Sequence, residues 1–267
     1  MDSALPLSVA IITQNEEANL PRCLSAVRDL ASEIVIVDSG STDRTASIAA
    51  EFQARFHHHP WPGFRAQKNH ALRLCTQPWV LHLDADEVVS PELARALKDL
   101  FAHASPQREG YLVNRRTFYL GDWIRHAWYP EWRLRLGRRE STSWEGRDPH
   151  PSLHTRHSPG HLKGDLLHYT YVDLQDHFET TLRYARISAD RLAEEGTAFR
   201  WYLLLLSPWL AFLKHLFLRQ GWRDGWRGWL ISVSTGFSVF AKYAFLLERK
   251  LQHNQQKTPD RKDSPLR

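Results

Sequence analysis

Three short apolar runs, residues 7–12, 34–37 and 79–83, each stop abruptly at a polar or acidic cluster, and helical patterns follow. Continuous β-rich runs of this length read as strands buried on both faces, which belong to parallel sheets with helical crossovers. Helical spacing covers residues 19–30, 45–52, 64–74 and 91–102, with a short third strand near 54–57. This alternation predicts an α/β fold, Rossmann-like, with a mostly parallel central sheet. Successive loops then share one sheet edge, where open α/β sheets bind ligands. Three polar loops converge there: residues 13–17, 38–43 and 84–87.

The third loop carries the most chemistry. In Trp79-Val80-Leu81-His82-Leu83-Asp84-Ala85-Asp86-Glu87 an apolar strand ends in three carboxylates, a placement suited to a divalent cation held against an anionic substrate. A solvated turn capping the helix near Pro91 explains the same letters. In the second loop, Asp38-Ser39-Gly40-Ser41-Thr42-Asp43 offers hydroxyls and amides to a base, ribose or phosphate; a plain strand-to-helix turn capped by Asp43 is the alternative. Lys68, within Arg65-Ala66-Gln67-Lys68-Asn69, is placed either to meet phosphate or to sit on a solvated helix face. His57-His58-His59 has the composition of a metal tract, but strand alternation splits it between faces, and it is left out of the metal site.

Residues 110–171 loosen into short strands and aromatic or basic loops, expected to extend the sheet and close over the site. Residues 174–195 read as a helix ended by Gly196. Residues 201–217 are strongly apolar but interrupted by Pro208 and Lys214, and residues 229–247 are apolar apart from Lys242 and small polar residues. Between them Trp alternates with Arg, a mixture suited to a bilayer interface with anionic headgroups. A membrane-bound helical hairpin is the preferred reading, and a helical pair packed on the sheet domain or on another protomer is the alternative. The formal charge of +5 is concentrated in the C-terminal third, which favours an anionic surface; no nucleic-acid partner is expected. Cys23 and Cys75 lack close spacing and fit buried thiols in a reducing compartment. The first residues have no basic-then-apolar pattern, so a secretory signal is not expected.

Taken together, Ile11-Ile12-Thr13-Gln14-Asn15-Glu16, Val37 with the Asp38–Asp43 loop, Gln67-Lys68-Asn69 and Leu83 to Glu87 resemble family 2 glycosyltransferases. More narrowly, Gly121-Asp122-Trp123-Ile124-Arg125-His126, Tyr129-Pro130, Leu134-Arg135-Leu136 and Leu162-Lys163-Gly164-Asp165-Leu166-Leu167-His168-Tyr169 resemble the lipopolysaccharide core branch, including its β-1,4-glucosyltransferases. The resemblance implies a GT-A fold, a nucleotide-diphosphate sugar donor, Mg²⁺ or Mn²⁺, and inversion at the anomeric carbon. By it, Asp38 would contact the base, Asp84 the ribose or sugar, and Asp86 the metal, with His168 completing the metal site. Thr13, Asn15, Glu16, Ser39, Gly40, Ser41, Asp43, Gln67, Lys68, Asn69 and Ala85 would join the donor site.

Inverting transfer also needs a base for the acceptor hydroxyl. The segment Trp144-Glu145-Gly146-Arg147-Asp148-Pro149-His150-Pro151 is its expected place, yet Pro151 stands where related sequences carry an acid. Asp148 is the first choice, with Glu145 and His150 behind it; a Pro-rich acceptor loop explains the segment equally. Arg133, Arg135 and Arg138 are candidates for a phosphorylated acceptor or donor, or else mark a solvated strand edge.

The expected organisation is a GT-A domain over residues 1–196 (nucleotide-sugar half 1–105, acceptor half 106–196), a membrane-association region 197–251 and a disordered tail 252–267. The expected activity is transfer of a sugar to a lipid-linked saccharide, most simply lipopolysaccharide core, by a peripheral or monotopic protein at the cytoplasmic face of the inner membrane. Rivals are a transferase acting on polyprenyl phosphate or another envelope glycan, and an inactive membrane-associated nucleotide-sugar-binding protein. Oligomeric state is left open.

Overall fold

Alternation along the first strands sorts their side chains between two cores. The computed structural model describes residues 4–102, 106–148 and 150–256. In β1 (Leu5–Thr13) and β2 (Ala31–Asp38), Val9, Ile11, Ile34 and Ile36 face one side, where α1 (Leu20–Val27) contributes Leu20, Leu24 and Val27. Ala10, Val35 and Val37 face the other, against Ala71 and Leu72 of α3 (Phe64–Leu74). Helices therefore cover both faces, as a parallel sheet requires. Each fully buried aliphatic side chain contributes about 1.5–3 kcal/mol, so the larger first cluster carries most of the stabilisation.

Between these elements run α2 (Thr45–Glu51) and β3 (Arg55–His58), and β4 (Trp79–Asp84) follows α3. Next come β5 (Glu87–Val89), α4 (Pro91–Ala102), β6 (Gly110–Tyr119), the two-residue β7 (Asp122–Trp123), β8 (Trp132–Arg138), β9 (Thr142–Glu145), β10 (Ser152–Thr155) and β11 (Gly160–His168). The sheet order is β3-β2-β1-β4-β8-β6-β11-β5. The first four strands are parallel; β8 enters antiparallel to β4, and the remainder is mixed, with β6 and β11 parallel and β5 antiparallel to β11. β9 and β10 form a separate hairpin with Glu145 opposite Ser152. The sheet extension over residues 110–171 is as the sequence suggests, while β5 and the hairpin were too short to show a period.

The described residues divide into two compact units, those within 1–118 and 130–170, and those within 119–129 and 171–267. The packing boundary thus precedes residue 196 and assigns the helix α5 (Leu174–Glu194) to the second unit. That unit also holds α6 (Trp201–Leu213), continued by a π turn (Lys214–Leu218), then a 3₁₀ turn (Gly221–Asp224) and α7 (Gly225–Gln256). At one end Tyr119, Ile124, Ala127 and Ile231 pack together; at the other, Ala189, Phe199 and Leu246 do. α5 and α7 therefore run side by side in the same direction, and α6 returns between those ends. Residues 252–256 continue α7 rather than begin a tail, and the rest of the expected tail lies outside the described residues.

Asp224 anchors the 119–129 segment within this unit. Its carboxylate accepts the amides of Arg125 (3.0 Å), His126 (3.0 Å) and Ala127 (2.8 Å), and His126 Nδ1 lies 3.0 Å away. Arg227 Nε donates to the Leu120 carbonyl at 2.9 Å. The Gly121 to His126 motif is thereby a docking segment on the helical unit.

Candidate active site

Register sets three strand ends side by side: Thr13 pairs with Asp38, and Ile12 with Asp84. The two loops after β1 and β2 are then stitched into one structure. Asp38 is buried, and its carboxylate accepts from Thr13 Oγ1 (2.8 Å), Ser41 Oγ (2.5 Å) and the amides of Gly40 and Ser41 (2.8 Å each). About four acceptor positions exist on a carboxylate, so this one is saturated by its own loop. Burial pushes its pKa up, but the hydrogen bonds from Ser41, Thr13 and Gly40 prevail and hold it below the usual range.

Asn15 occupies the left-handed region (φ 55°), which Asn tolerates better than most residues. Its amide donates to Ser41 Oγ (2.8 Å), and its Oδ1 accepts the Thr42 amide (2.9 Å). Asp43 accepts the amides of Thr45 and Glu17, both at 3.0 Å, and so closes the strand-to-helix turn. The hydroxyls and carboxylates read as donor ligands thus largely serve one another. Glu16 differs: its half-buried carboxylate has its pKa raised by burial, offset by Asn19 and raised further by the charges of Asp86, Asp43 and Asp84. The loop edge is therefore negative where Asp84 and Asp86 approach it.

Three consecutive side chains of α3 pin three different segments. Gln67, fully buried, donates to Ser39 Oγ and to the His59 carbonyl, both at 3.1 Å. Lys68 Nζ lies 2.5 Å from Asp84 Oδ1 and 4.4 Å from the Trp144 ring centre. Asn69 clasps the Trp144 backbone, donating to its carbonyl (2.8 Å) and accepting its amide (2.9 Å). Lys68 is thus bound to a strand-end carboxylate rather than to solvent.

Asp84 is held on its other oxygen by Arg135 Nη2 at 2.8 Å, and the two cations overcome burial to keep its carboxyl well below the usual range. Arg135 is itself buried and reaches Glu87 Oε1 at 2.5 Å. Glu87 is completely buried, and its Oε2 accepts the Asp84 amide at 3.1 Å. Arg135 therefore belongs to the interior of the acid cluster and is not a surface phosphate ligand; Arg133 is bound to Glu131, and Arg138 lies over the Trp79 ring. Sequence reasoning missed Arg115, which chelates Glu131 at 2.8 and 3.0 Å, and His82, whose Nδ1 accepts the Trp144 indole N–H at 3.2 Å. Burial, then Lys68 and Arg135, pushes His82 down to about 3, so it stays neutral.

Asp86 stands apart from this cation-rich set. Its Oδ2 is 3.1 Å from His168 Nε2, and its carbonyl accepts the Tyr169 amide at 3.0 Å. The alignment of β11 with β5, which sets His168 opposite Glu87, brings the pair together. His168 Nδ1 is buried without a hydrogen-bond partner, so Asp86 is the polar contact that orients the ring. Among the described residues no group of three or more His, Cys, Asp and Glu side chains forms a metal cage. A carboxylate–imidazole pair fits an ion that draws its remaining ligands from substrate phosphate and water. The helix-cap reading of these acids does not hold: Ser90 Oγ accepts the Leu93 amide at 3.2 Å and caps α4. Ala85 is packed in the core, leaving only its backbone for a ligand.

The base candidates lie at the end of β9 and in the loop after it. Asp148 Oδ1 accepts the Arg65 amide at 2.9 Å and so caps the start of α3. Gly63 precedes that helix with φ +104°, and a Cβ there would stand 2.1 Å from Asp148 Oδ2. Glu145 is exposed, with Ser143 Oγ donating to it at 2.7 Å, and lines an open groove of about 570 Å³ with Arg65, Asn69, Arg73, Trp144 and Gly146. His150 is exposed on the same loop. Cys23 and Cys75 are free, buried thiols, and burial raises both, Cys75 to about 12.

The family model "Glycosyl transferase family 2" matches residues 8–156. The lipopolysaccharide core biosynthesis glycosyltransferase LpsC of Rhizobium meliloti is 36% identical over 260 residues, 92% of each chain. A glycosyltransferase of Rickettsia typhi is 29% identical over 92% of this chain and 88% of its own. Among solved structures, the mannosyltransferase PcManGT from Pyrobaculum calidifontis, in complex with GDP-Man and Mn2+, covers 96% of this chain and 89% of its own at 16% identity and a TM-score of 0.49. With a matched family model over more than half its length and a relative 36% identical over 92% of both chains, this chain belongs to glycosyl transferase family 2, as a glycosyltransferase of GT-A fold.

Proposed function

We propose that the protein is an inverting, metal-dependent glycosyltransferase that moves a sugar from a nucleotide-diphosphate donor to a lipid-linked saccharide, lipopolysaccharide core being the favoured acceptor. The observation that carries this reading is the Asp86–His168 pair, set beside a loop edge where Glu16, Asp43, Asp84 and Asp86 gather. An anionic diphosphate is repelled by such an edge unless a cation accompanies it. Asp86 and His168 would hold Mg²⁺ or Mn²⁺, which when bound neutralises charge developing on the leaving diphosphate. Asp84 accepts from Lys68 and Arg135 and keeps acceptor capacity for a sugar or ribose hydroxyl. The stitched loops of residues 13–17 and 38–45 form a rigid seat for the nucleotide, offered through backbone and hydroxyl groups and through Glu16.

Glu145 is the favoured base, since its carboxylate lines an open groove, whereas that of Asp148 caps a helix. The similarity to LpsC over 92% of each chain supports this acceptor, and an acceptor anchored in lipid together with the apolar second unit supports work at the cytoplasmic face of the membrane. The test is sugar transfer by the purified full chain against a panel of nucleotide sugars and a lipid-saccharide extract, with and without Mn²⁺. Asp86→Asn is expected to lower metal-dependent turnover at least 100-fold, on the scale of removing a charge-stabilising group. Unchanged turnover in that variant would remove Asp86 from the role.

A further inference from the structure

Among the described residues of the second unit, α6 and its π turn carry a long row of exposed apolar side chains. Trp201, Leu205, Trp209, Leu213 and Phe217 form a row at every fourth position, 44–67% exposed, with Leu206 and Leu210 beside it at 58% and 65%. No residue of α6 is buried. Its opposite side meets α7 so closely that a Cβ on Gly236 would come within 2.9 Å of the Pro208 carbonyl. Trp222, Trp226 and Trp229, each more than half exposed, continue the apolar surface past the turn.

We infer that α6 lies in the interfacial plane of an anionic bilayer and does not cross it, with its outward row immersed at the headgroup–acyl boundary. The inference rests on the membrane half of the proposed function and is independent of sugar transfer. Aromatic and basic residues are what that boundary accepts. Residues 196–223 contain no Asp or Glu, whereas Arg200, Lys214, Arg219 and Arg223 are all exposed. Anionic headgroups would supply counter-charges for them. A two-fold copy of this chain would instead set the same cationic patch against itself.

Crossing is opposed by α5. Asp190 of α5 lies 2.6 Å from Arg249 of α7, and Arg186 packs 4.4 Å from the Phe245 ring centre. An α7 inserted through hydrocarbon would carry the exposed Arg183, Arg186 and Arg191 of α5 with it, which the bilayer interior penalises. Both α6 with its π turn (Trp201–Leu218) and α7 have the length and apolar composition for a span; α6 packs on α7 and α7 on α5, so α6 could cross only by carrying the cations of α5 with it.

The test uses the full chain without donor or acceptor. Flotation on phosphatidylcholine vesicles containing phosphatidylglycerol should show binding, and Leu206→Glu/Leu210→Glu should reduce the bound fraction at least tenfold with an unchanged near-UV spectrum. Arg219→Gln and Arg223→Gln should each weaken binding to the anionic vesicles about fivefold and leave binding to neutral ones unaltered. Depth is read separately from Tyr202→Cys, Leu210→Cys and Leu218→Cys, each fluorophore-labelled and quenched by nitroxide lipids, since both native thiols are buried. Equal, shallow depths support the in-plane helix. A profile with residue 210 deepest would overturn it in favour of a span, and absence of flotation with a dimer in solution would overturn it in favour of a second copy. A chain that floats as expected but transfers no sugar would count against the transferase reading alone.

Discussion

At residue scale, Asp148 and Gly63 form a lock that can be separated from chemistry. The carboxylate caps α3, and only glycine fits beside it. Gly63→Ala meets both an unfavourable backbone angle and the Asp148 oxygen, and should lower stability by about 1–3 kcal/mol in urea titration. Asp148→Asn keeps an oxygen for the Arg65 amide and should cost about 1 kcal/mol or less. With Glu145 as base, Asp148→Asn should retain kcat within a few-fold while Glu145→Gln loses about 100-fold or more; the reverse order in single-turnover kinetics would return the role to Asp148. The sequence marks these acids as neighbours, but their division of labour depends on Arg65, far upstream in the chain. Local letters cannot carry that information.

At element scale, α3 is a strut with three contacts on three successive residues. Asn69→Ala deletes both hydrogen bonds to the Trp144 backbone and leaves that amide and carbonyl without partners, a loss of about 1–3 kcal/mol measurable by denaturant unfolding. Asn69→Asp keeps the acceptor for the amide and should fall between wild type and Ala. Apart from the three-residue β5, the strands and helices of residues 5–102 were legible because each has a period or a boundary signal. The convergence of their loops followed from βα topology alone. What escaped was the use of the Asp38–Asp43 loop: its side chains look like ligands for a nucleotide but mainly satisfy one another, which needs the register of β1 against β2 to see. Arg135 escaped for the same reason, since its partners Asp84 and Glu87 lie on another strand segment.

For the whole molecule, acid sensitivity should reside in paired carboxylates. Although burial raises Glu131, Arg115 and then Arg133 bring it down to about 2 from an ordinary 4.5. A depressed carboxyl stabilises the fold above its unfolded pKa, and the contribution fades as pH falls through the folded one. Glu131→Gln should therefore cost on the order of 2 kcal/mol at pH 7 and progressively less below about pH 4, read as converging melting curves of variant and wild type. The GT-A fold was readable from motif order, whereas the pairing of Asp86 with His168 came from family resemblance and not from spacing. The helical unit was visible as apolar composition, but its three-helix arrangement rests on contacts such as Asp190 with Arg249 that composition does not encode. The clamp of Asp224 on residues 125–127 also has a temporal side. Ala127 and Asp224 are 97 positions apart, so at about 5–20 residues per second a ribosome needs roughly 5–20 s to deliver the clamp after the segment it holds. Through that interval Tyr119, Ile124 and Ala127 lack Ile231, their later partner, and the growing chain carries an adhesive apolar patch in its middle that a holding chaperone would be suited to cover.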